Sequence, residues 1–293
     1  MTADLARPGT LYVVSTPIGN MGDFSFRAVE ILGAVDLILA EDTRHTRHLL
    51  DRYHIATPLA PHHEHNEATT TPGIVRRLEA GESIALVSDA GTPMLSDPGS
   101  RLVRAAIAAG IPVVPVPGAS ALLAAIIASG LDMDRFTFFG FLPRSGRQRR
   151  TALDEITATH HTVVVYEAPT RLAATLAELE QRGNGSRPGA VAREMTKQFE
   201  DVRRGTMSEL RAYYEGMPVR GEVVLVIGPA PREAVSEDAV RERVLERVRA
   251  LRASGVSSRD AAAAVAQELG VSKNLAYRLA QEYQEAHEDE EGA

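Results

Sequence analysis

The chain has 293 residues, 44% of them hydrophobic, and a formal net charge of −7. This length and composition predict about two domains with ordinary globular cores, and the absence of cysteine excludes disulfides and thiolate metal sites. The acidic balance argues against binding nucleic acid over the whole surface, but not against a local basic patch. No apolar run is long enough to span a membrane and the N-terminus has no apolar signal core, so we expect a cytoplasmic protein.

Predicted strands and helices alternate along the first part of the chain. The run at 84–87 is short, apolar and unbroken by charge, which predicts a strand buried on both faces. A helical pattern follows, and five such alternations predict a parallel α/β sheet. The predicted strands are 11–15, 35–40, 59–64, 84–87 and 111–116, and the predicted helices are 25–32, 43–53, 72–80, 100–109 and 121–129.

Three Gly- and Pro-rich loops follow the carboxyl ends of predicted strands. In open parallel sheets ligands bind at those ends, so the loops predict one ligand pocket. Glycine lets a ligand approach the backbone closely, whereas Pro17 withholds an N–H, which argues against a phosphate cradle in the first loop. The predicted pocket residues in these loops are Pro17, Ile18, Gly19, Asp89, Gly91, Thr92, Pro93, Leu95, Gly118, Ser120 and Ala121.

Two polar clusters in this part of the chain have alternative interpretations. Asp42 follows a predicted strand and either caps the next helix or has a functional role. The segment 61–65 contains three histidines and a glutamate, a composition that suggests a metal. Strand alternation would send His62 and His63 to opposite faces, so we expect no metal site.

A second α/β domain is predicted after the helix at 121–129. Its predicted strands are 136–142, 162–166, 190–192 and 222–227, and its predicted helices are 150–158, 170–181 and 206–214. Tyr166, Ala192 and Arg193 end strands, and we expect them to complete the pocket. The segment 143–150 reads as a mobile basic loop, which is either a solvated helix start or a phosphate contact. Its arginines are Arg144, Arg147, Arg149 and Arg150.

The character of the sequence changes after a Gly/Pro linker at 228–231. Three helices are predicted at 236–253, 258–269 and 273–283, and the last two have helix-turn-helix spacing. Ordinary α-hairpins show the same spacing, so nucleic-acid binding through Lys273 and its neighbours is one of two interpretations. The predicted domains are therefore 1–118, 119–230 and a helical domain at 231–293.

Several motifs resemble the tetrapyrrole-methylase superfamily. They are LYVVSTPIGNMGD at 11–23, AEDTRHT at 40–46, VSDAGTPMLSDPG at 87–99, PVPGAS at 115–120, FFGFLP at 138–143, VVYEAPTR at 164–171, VAREMTKQFE at 191–200 and GEVVLVIG at 221–228. The superfamily usually shows GxGPGD in the first loop and Gly-Asp-Pro in the fourth, where this chain has TPIGNMGD and Gly91-Thr92-Pro93. Both departures resemble the subfamily that methylates ribosomal RNA and count against a porphyrin substrate.

The resemblance implies a fold, a cofactor and a reaction. It implies two α/β domains with S-adenosylmethionine in the cleft between them, and a homodimer. It further implies 2′-O-methylation of a cytidine ribose in the decoding centre of 16S rRNA. Two alternatives remain: a C-methylase of porphyrin precursors, and a ligand-sensing helix-turn-helix regulator.

Methyl transfer to a ribose is chiefly a positioning task, in which the hydroxyl oxygen is aligned with the methyl group and water is excluded. A ribose hydroxyl is weakly acidic, so a nearby base should help. The candidate bases are Asp42, Glu167, Lys197 and Glu200, each of which could equally form an ion pair.

Overall fold

The first five strands form one parallel sheet in the computed structural model, which describes residues 5–230 and 237–291. Within it β4 gives Ala85 and Val87 to one core and Ile84 and Leu86 to another, because alternate strand residues point to opposite faces. The strands are β1 (Leu11–Val14), β2 (Leu37–Ala40), β3 (Leu59–Pro61), β4 (Ile84–Val87) and β5 (Val113–Val116), in the order β3-β2-β4-β1-β5. The connecting helices are α1 (Phe26–Ala34), α2 (Thr43–Arg52), α3 (Glu67–Glu79) and α4 (Ser100–Ala108).

Helix α3 begins before its predicted start at Pro72. Proline is tolerated best in a first turn, which is why the sequence favours that start, but the helix extends back to Glu67 and encloses the proline. The earlier start has a structural consequence. Glu67 Oε1 accepts hydrogen bonds from the N–H groups of Gly99, Arg101 and Leu102, at 3.2, 2.8 and 3.4 Å, and so fixes the start of α4.

The second sheet is mixed, with strands in the order β6-β7-β10-β8-β9. Strands β6 and β7 are parallel, and the other neighbours are antiparallel. The strands are β6 (Phe136–Phe141), β7 (Thr162–Glu167), β8 (Pro188–Arg193), β9 (Asp201–Thr206) and β10 (Val223–Ile227). The associated helices are α5 (Ala121–Ser129), α6 (Gly146–Ala158), α7 (Leu172–Leu179) and α8 (Met207–Tyr214).

Helix α5 connects the two halves of this fold. It follows β5 of the first sheet, and its buried residues Leu122, Ala125 and Ile126 pack against β7, β8 and β10 of the second sheet. The helix is apolar on nearly all sides, which is typical of a segment covered by other elements. The carboxyl end of β5 is therefore held close to the second sheet.

The chain divides into two compact units, Met1–Ala230 and Pro231–Ala293. Both sheets lie in the first unit, and helices α9 (Glu237–Ala253), α10 (Ser258–Leu269) and α11 (Lys273–Glu291) lie in the second. Ser257 caps α10, and Gly270 ends it in a left-handed conformation, as expected of such residues. The predicted helix start at 236 lies outside the described residues. Among the described residues, no helix has the length and apolar character that would span a bilayer.

Candidate active site

A cavity of about 490 Å³ lies between the two sheets of the first unit. The loops after β4 and β5 contribute one side of it, and the ends of β6, β7 and β10 contribute the other. Of the residues predicted to bind a ligand, the cavity is lined by Ile18, Asp89, Gly91, Thr92, Leu95, Ser120, Ala121 and Tyr166. The structure does not place Pro17, Gly19, Pro93, Gly118, Ala192 or Arg193 in its lining.

The loop between β4 and α4 is held in a constrained conformation. Gly91 and Gly99 have φ of 84° and 123°, and the non-glycine residues Met94 and Ser96 have φ of 71° and 72°. Such left-handed residues persist only where the surroundings impose them, and they cluster at ligand sites. One such restraint is the pair of backbone hydrogen bonds between Thr16 and Gly91, at 2.8 and 3.1 Å.

Gly118 serves the packing of two loops. A Cβ at this position would lie 2.9 Å from Ser15 Cβ, closer than side-chain atoms can approach. Gly118 therefore lets the loop after β5 lie directly against the end of β1. Its contribution is to the shape of the pocket, and the lining is left to Ser120 and Ala121, which follow it.

Ser120 presents an unsatisfied polar group to the cavity. Its Oγ is buried and has no hydrogen-bond partner in the described structure, and it does not cap α5. Leaving a buried hydroxyl unpaired costs about 1–3 kcal/mol. A polar ligand in the cavity would remove that cost.

One wall of the cavity is acidic. Glu41, Asp89 and Asp97 line it, and none of the three forms an ion pair with another described residue. Burial, followed by the Asp89 carboxylate, raises the pKa of Glu41. Burial, followed by Glu41 and Asp89, raises the pKa of Asp97 to about 6. This wall favours a ligand that carries positive charge.

The opposite wall is aromatic. The Tyr166 ring lies 4.8 Å from Phe138 and 5.5 Å from Phe141, measured between centroids. Burial raises the pKa of Tyr166, so its hydroxyl stays protonated. Phe141 is 58% exposed although it lines the cavity. An exposed ring at a cavity mouth offers a surface on which a flat ligand can stack.

Lys197 is held as a cation and is therefore not a base. Its Nζ lies 2.9 Å from Glu194 Oε1 and 3.2 Å from Glu222 Oε2. Burial acts to lower the pKa of Lys197, but its bonds to Glu194 and Glu222 outweigh that effect, and the pKa is raised. The Lys197 side chain also lies on Gly19, where a Cβ would be 2.3 Å from its Cγ. Lys197 and Gly19 thus connect the two halves of the fold.

Glu167 lines the cavity, but its carboxylate is fully engaged inside the second half of the fold. It forms an ion pair with Arg171, and it accepts hydrogen bonds from Thr175 Oγ1 at 2.6 Å and from the Ala168 N–H at 2.9 Å. Its side chain is buried, and Arg149 lies 3.9 Å away. The prediction of Glu167 as a base is therefore corrected to a structural role.

Asp42 and Glu200 are corrected in the same way. Asp42 caps α2 by accepting a hydrogen bond of 2.8 Å from the Arg44 N–H. Hydrogen bonds from the Arg44 side chain and backbone lower the pKa of Asp42 to about 2, which makes it a weak base. Glu200 is exposed and accepts a hydrogen bond from the Thr196 N–H at 2.5 Å. Neither carboxylate lines the cavity.

The segment predicted as a mobile basic loop is largely helix. Helix α6 begins at Gly146, so Arg147, Arg149 and Arg150 are helical. Arg149 is buried, and its guanidinium donates to Glu178 Oε1 at 2.8 Å and to Thr175 Oγ1 at 2.9 Å. This burial contradicts the prediction that Arg149 contacts RNA. Arg144, Arg147 and Arg150 are exposed, as is Lys273 at the start of α11.

The histidine segment at 61–65 packs within the first half of the fold. His62 is buried, and its Nδ1 lies 3.0 Å from Thr70 Oγ1. Burial lowers the pKa of His62. In the part of the chain that the structure describes, no cluster of three or more His, Asp or Glu residues has the arrangement of a metal site.

Four cavity residues were missed by the sequence interpretation: Glu41, Asp97, Phe141 and Glu222. Glu41 and Asp97 both follow strands of the first sheet at their carboxyl ends, the same signal that identified Asp89. Asp97 was passed over because Ser96-Asp97-Pro98-Gly99 has the composition of an ordinary turn.

Comparisons with known proteins bear on this site. The family model for Tetrapyrrole (Corrin/Porphyrin) Methylases matches residues 10–211. The chain is 45% identical over 277 residues to a Ribosomal RNA small subunit methyltransferase I of Synechocystis sp., covering 94% of this chain and 98% of the relative. It is 46% identical over 278 residues to the protein of that name from Pseudomonas aeruginosa, covering 93% and 96%.

A solved structure shares the fold. The uroporphyrin-III C-methyl transferase from Thermus thermophilus, complexed with S-adenosyl homocysteine, matches with a TM-score of 0.53 and 20% identity. The match covers 75% of this chain and 97% of that one. At this identity the likeness extends to the fold alone.

Proposed function

We propose a function from the premise that the chain belongs to the tetrapyrrole methylase family, and within it to the ribosomal RNA small subunit methyltransferases I. This membership confirms the resemblance seen in the motifs. The chain is accordingly a methyltransferase that uses S-adenosylmethionine. Its proposed reaction is transfer of the methyl group to the 2′-oxygen of a cytidine ribose in the decoding centre of 16S rRNA.

The cavity between the sheets is the observation that carries this proposal. S-adenosylmethionine is a cation whose sulfonium supplies both the methyl group and the leaving group. The acidic wall at Glu41, Asp89 and Asp97 suits that charge, and the unpartnered Ser120 hydroxyl suits a polar ligand. The aromatic wall offers a stacking surface for a base. The cavity residues thus fit the methyl donor by charge, by hydrogen bonding and by shape.

The chain's own residues hold the reactants and exclude water. The constrained loop 91–99 fixes one wall, and α5 fixes the position of Ser120 and Ala121 relative to the second sheet. Such fixed geometry supplies the alignment that methyl transfer to a hydroxyl requires. We further propose that residues 1–118 and 119–230 act as the two domains on either side of the cavity.

The exposed basic residues supply a proposed contact with RNA phosphates. Arg144, Arg147 and Arg150 surround the start of α6, and Lys273 is exposed in the C-terminal unit. Contacts of this kind position a nucleic acid without reading its sequence. A ribosomal RNA substrate also implies work in the cytoplasm.

A homodimer is proposed on the strength of an exposed apolar surface. Ile107 on α4 and Leu123 and Ile127 on α5 are 61%, 46% and 65% exposed. These helices flank β5, the edge strand of the first sheet. Exposed apolar side chains grouped in this way are typical of an interface, and a second copy of the chain is the proposed occupant.

Labelled methyl transfer tests the reaction. The enzyme is incubated with S-adenosylmethionine carrying a radioactive methyl group and with immature small subunits, naked 16S rRNA or uroporphyrinogen III. We expect label in RNA, recovered after complete digestion as 2′-O-methylcytidine. Label on a nucleobase, or only on uroporphyrinogen, would contradict the proposed function.

A further inference from the structure

The proposed reaction needs a group that takes a proton from the ribose hydroxyl. Lys197 is a cation between two glutamates, and Glu167 is paired with Arg171. Asp42 is a helix cap and Glu200 lies outside the cavity. A base must lie inside the cavity with a free carboxylate, which none of these four residues offers.

Asp97 meets that requirement. It lines the cavity together with Gly91, Thr92 and Tyr166. Its side chain is half-buried and forms no ion pair with any described residue. Because it sits directly after Ser96, which is held in a left-handed conformation, its position is imposed by a strained loop.

The position of Asp97 is also anchored from a second element. The next helix, α4, starts at Ser100, and its first N–H groups are bound by Glu67 of α3. Gly99 fits this packing because a Cβ there would lie 2.5 Å from Leu86 Cδ2. The loop is therefore restrained on both sides of Asp97, as a preorganised catalytic group requires.

We propose that Asp97 is the general base of the methyl transfer; this inference rests on the proposed function. The Asp97 carboxylate accepts the hydroxyl proton as a lone pair of the ribose oxygen forms the bond to the methyl carbon. The electron pair of the breaking carbon–sulfur bond stays on sulfur. The products are a 2′-O-methyl ribose, S-adenosylhomocysteine and a protonated Asp97, which then returns its proton to solvent.

The electrostatic surroundings suit this role. Burial and the facing carboxylates of Glu41 and Asp89 favour the protonated form of Asp97, the Ser88 hydroxyl favours the ionised form, and the nearby Tyr166 hydroxyl is neutral. The resulting pKa of about 6 lies near the operating pH, where a general base is most effective. At neutral pH most of the Asp97 carboxylate is ionised.

Asp97 is a better candidate than its acidic neighbours. Asp89 Oδ1 already accepts a hydrogen bond of 3.0 Å from the Asp42 N–H, which fixes that carboxylate as part of the wall. Glu41 is at the end of β2, away from the second sheet in sequence and topology. Asp97 lies close enough to Tyr166 to influence the pKa of its hydroxyl, and it therefore faces the aromatic wall where a nucleoside would stack.

The first test compares Asp97→Asn with Asp42→Asn, the same chemical change in an exposed helix cap. We expect kcat of Asp97→Asn on small subunits to fall by about 10²–10⁴-fold, with the Kd for S-adenosylmethionine and the Tm near those of the wild type. The kcat of Asp42→Asn should stay within about threefold. An Asp97→Asn enzyme with wild-type kcat, or one that no longer binds the cofactor, would overturn the proposal.

The second test needs no turnover and no variant. A cation bound beside Asp97 stabilises its ionised form, so binding S-adenosylmethionine at pH 6 should release protons. S-adenosylhomocysteine has no sulfonium charge and should release fewer. Calorimetry in buffers of different ionisation enthalpy measures both values. Equal proton release by the two ligands would refute the placement of Asp97, whereas a wild-type enzyme that fails to methylate RNA would refute the proposed function instead.

Discussion

Arg147 and Arg149 are separated by one residue on α6 but have opposite surroundings. The Arg147 side chain is exposed, and the Arg149 guanidinium is buried against Glu178 and Thr175. Removing one partner of a buried ion pair leaves the other uncompensated, at a cost of about 3–5 kcal/mol. An exposed arginine carries no such cost.

We therefore predict that Arg149→Met lowers the free energy of unfolding by about 3–5 kcal/mol, and that Arg147→Met changes it by less than about 0.5 kcal/mol. Urea unfolding measures both. Arg147→Met should instead reduce the salt dependence of RNA binding, because one phosphate contact is lost. Equal destabilisation by the two variants would contradict this assignment.

Single residues in this site differ in how far the sequence predicts them. Gly91 and Ser120 were predicted because Gly/Pro-rich loops at strand ends carry a local signal. The basicity of Asp97 has no such signal, since it depends on Glu41 and Asp89, which come from two other strand ends. Arg149 was misassigned because its partners lie on α7, and nothing in an arginine-rich segment shows which side chain faces inward.

At the scale of elements, apolar strands were predicted well and polar ones were not. Strands β4 and β10 are continuous apolar runs and were recognised at once. Strand β9, with the sequence DVRRGT, was missed because it is an edge strand with several exposed side chains. The mixed direction of the second sheet followed from that omission, since β8 and β9 form an antiparallel pair.

The three C-terminal helices form a unit with its own core. Val248 of α9, Val265 of α10 and Leu279 of α11 are buried together. The polar residues proposed to meet RNA, Arg259, Lys273, Asn274 and Arg278, are exposed on α10 and α11. Structured RNA hides its base edges in a deep major groove, so we expect recognition of backbone shape and phosphates.

Deleting residues 231–293 should raise the KM for small subunits and leave the Kd for S-adenosylmethionine unchanged. The physical reason is that every residue that lines the cavity belongs to the unit Met1–Ala230. Steady-state kinetics and titration calorimetry on the truncated enzyme provide the two values. A KM equal to that of the full chain would mean that these helices do not recruit this substrate.

At the scale of the whole molecule, charge is separated by location. The net charge is −7, and the cavity has an acidic wall, while the arginines at the start of α6 are exposed. This arrangement matches a cationic cofactor inside and a polyanionic substrate outside. The account depends above all on the cavity between the two sheets being the cofactor site.

Titration of S-adenosylmethionine into Ala121→Trp tests that claim most directly. Ala121 begins α5 and lines the cavity, so an indole there should fill the space that the cofactor needs. We predict no measurable binding by Ala121→Trp with a Tm close to that of the wild type. The control Ala34→Trp, on the exposed end of α1, should bind normally. Wild-type affinity in a folded Ala121→Trp enzyme would show that the cofactor binds elsewhere.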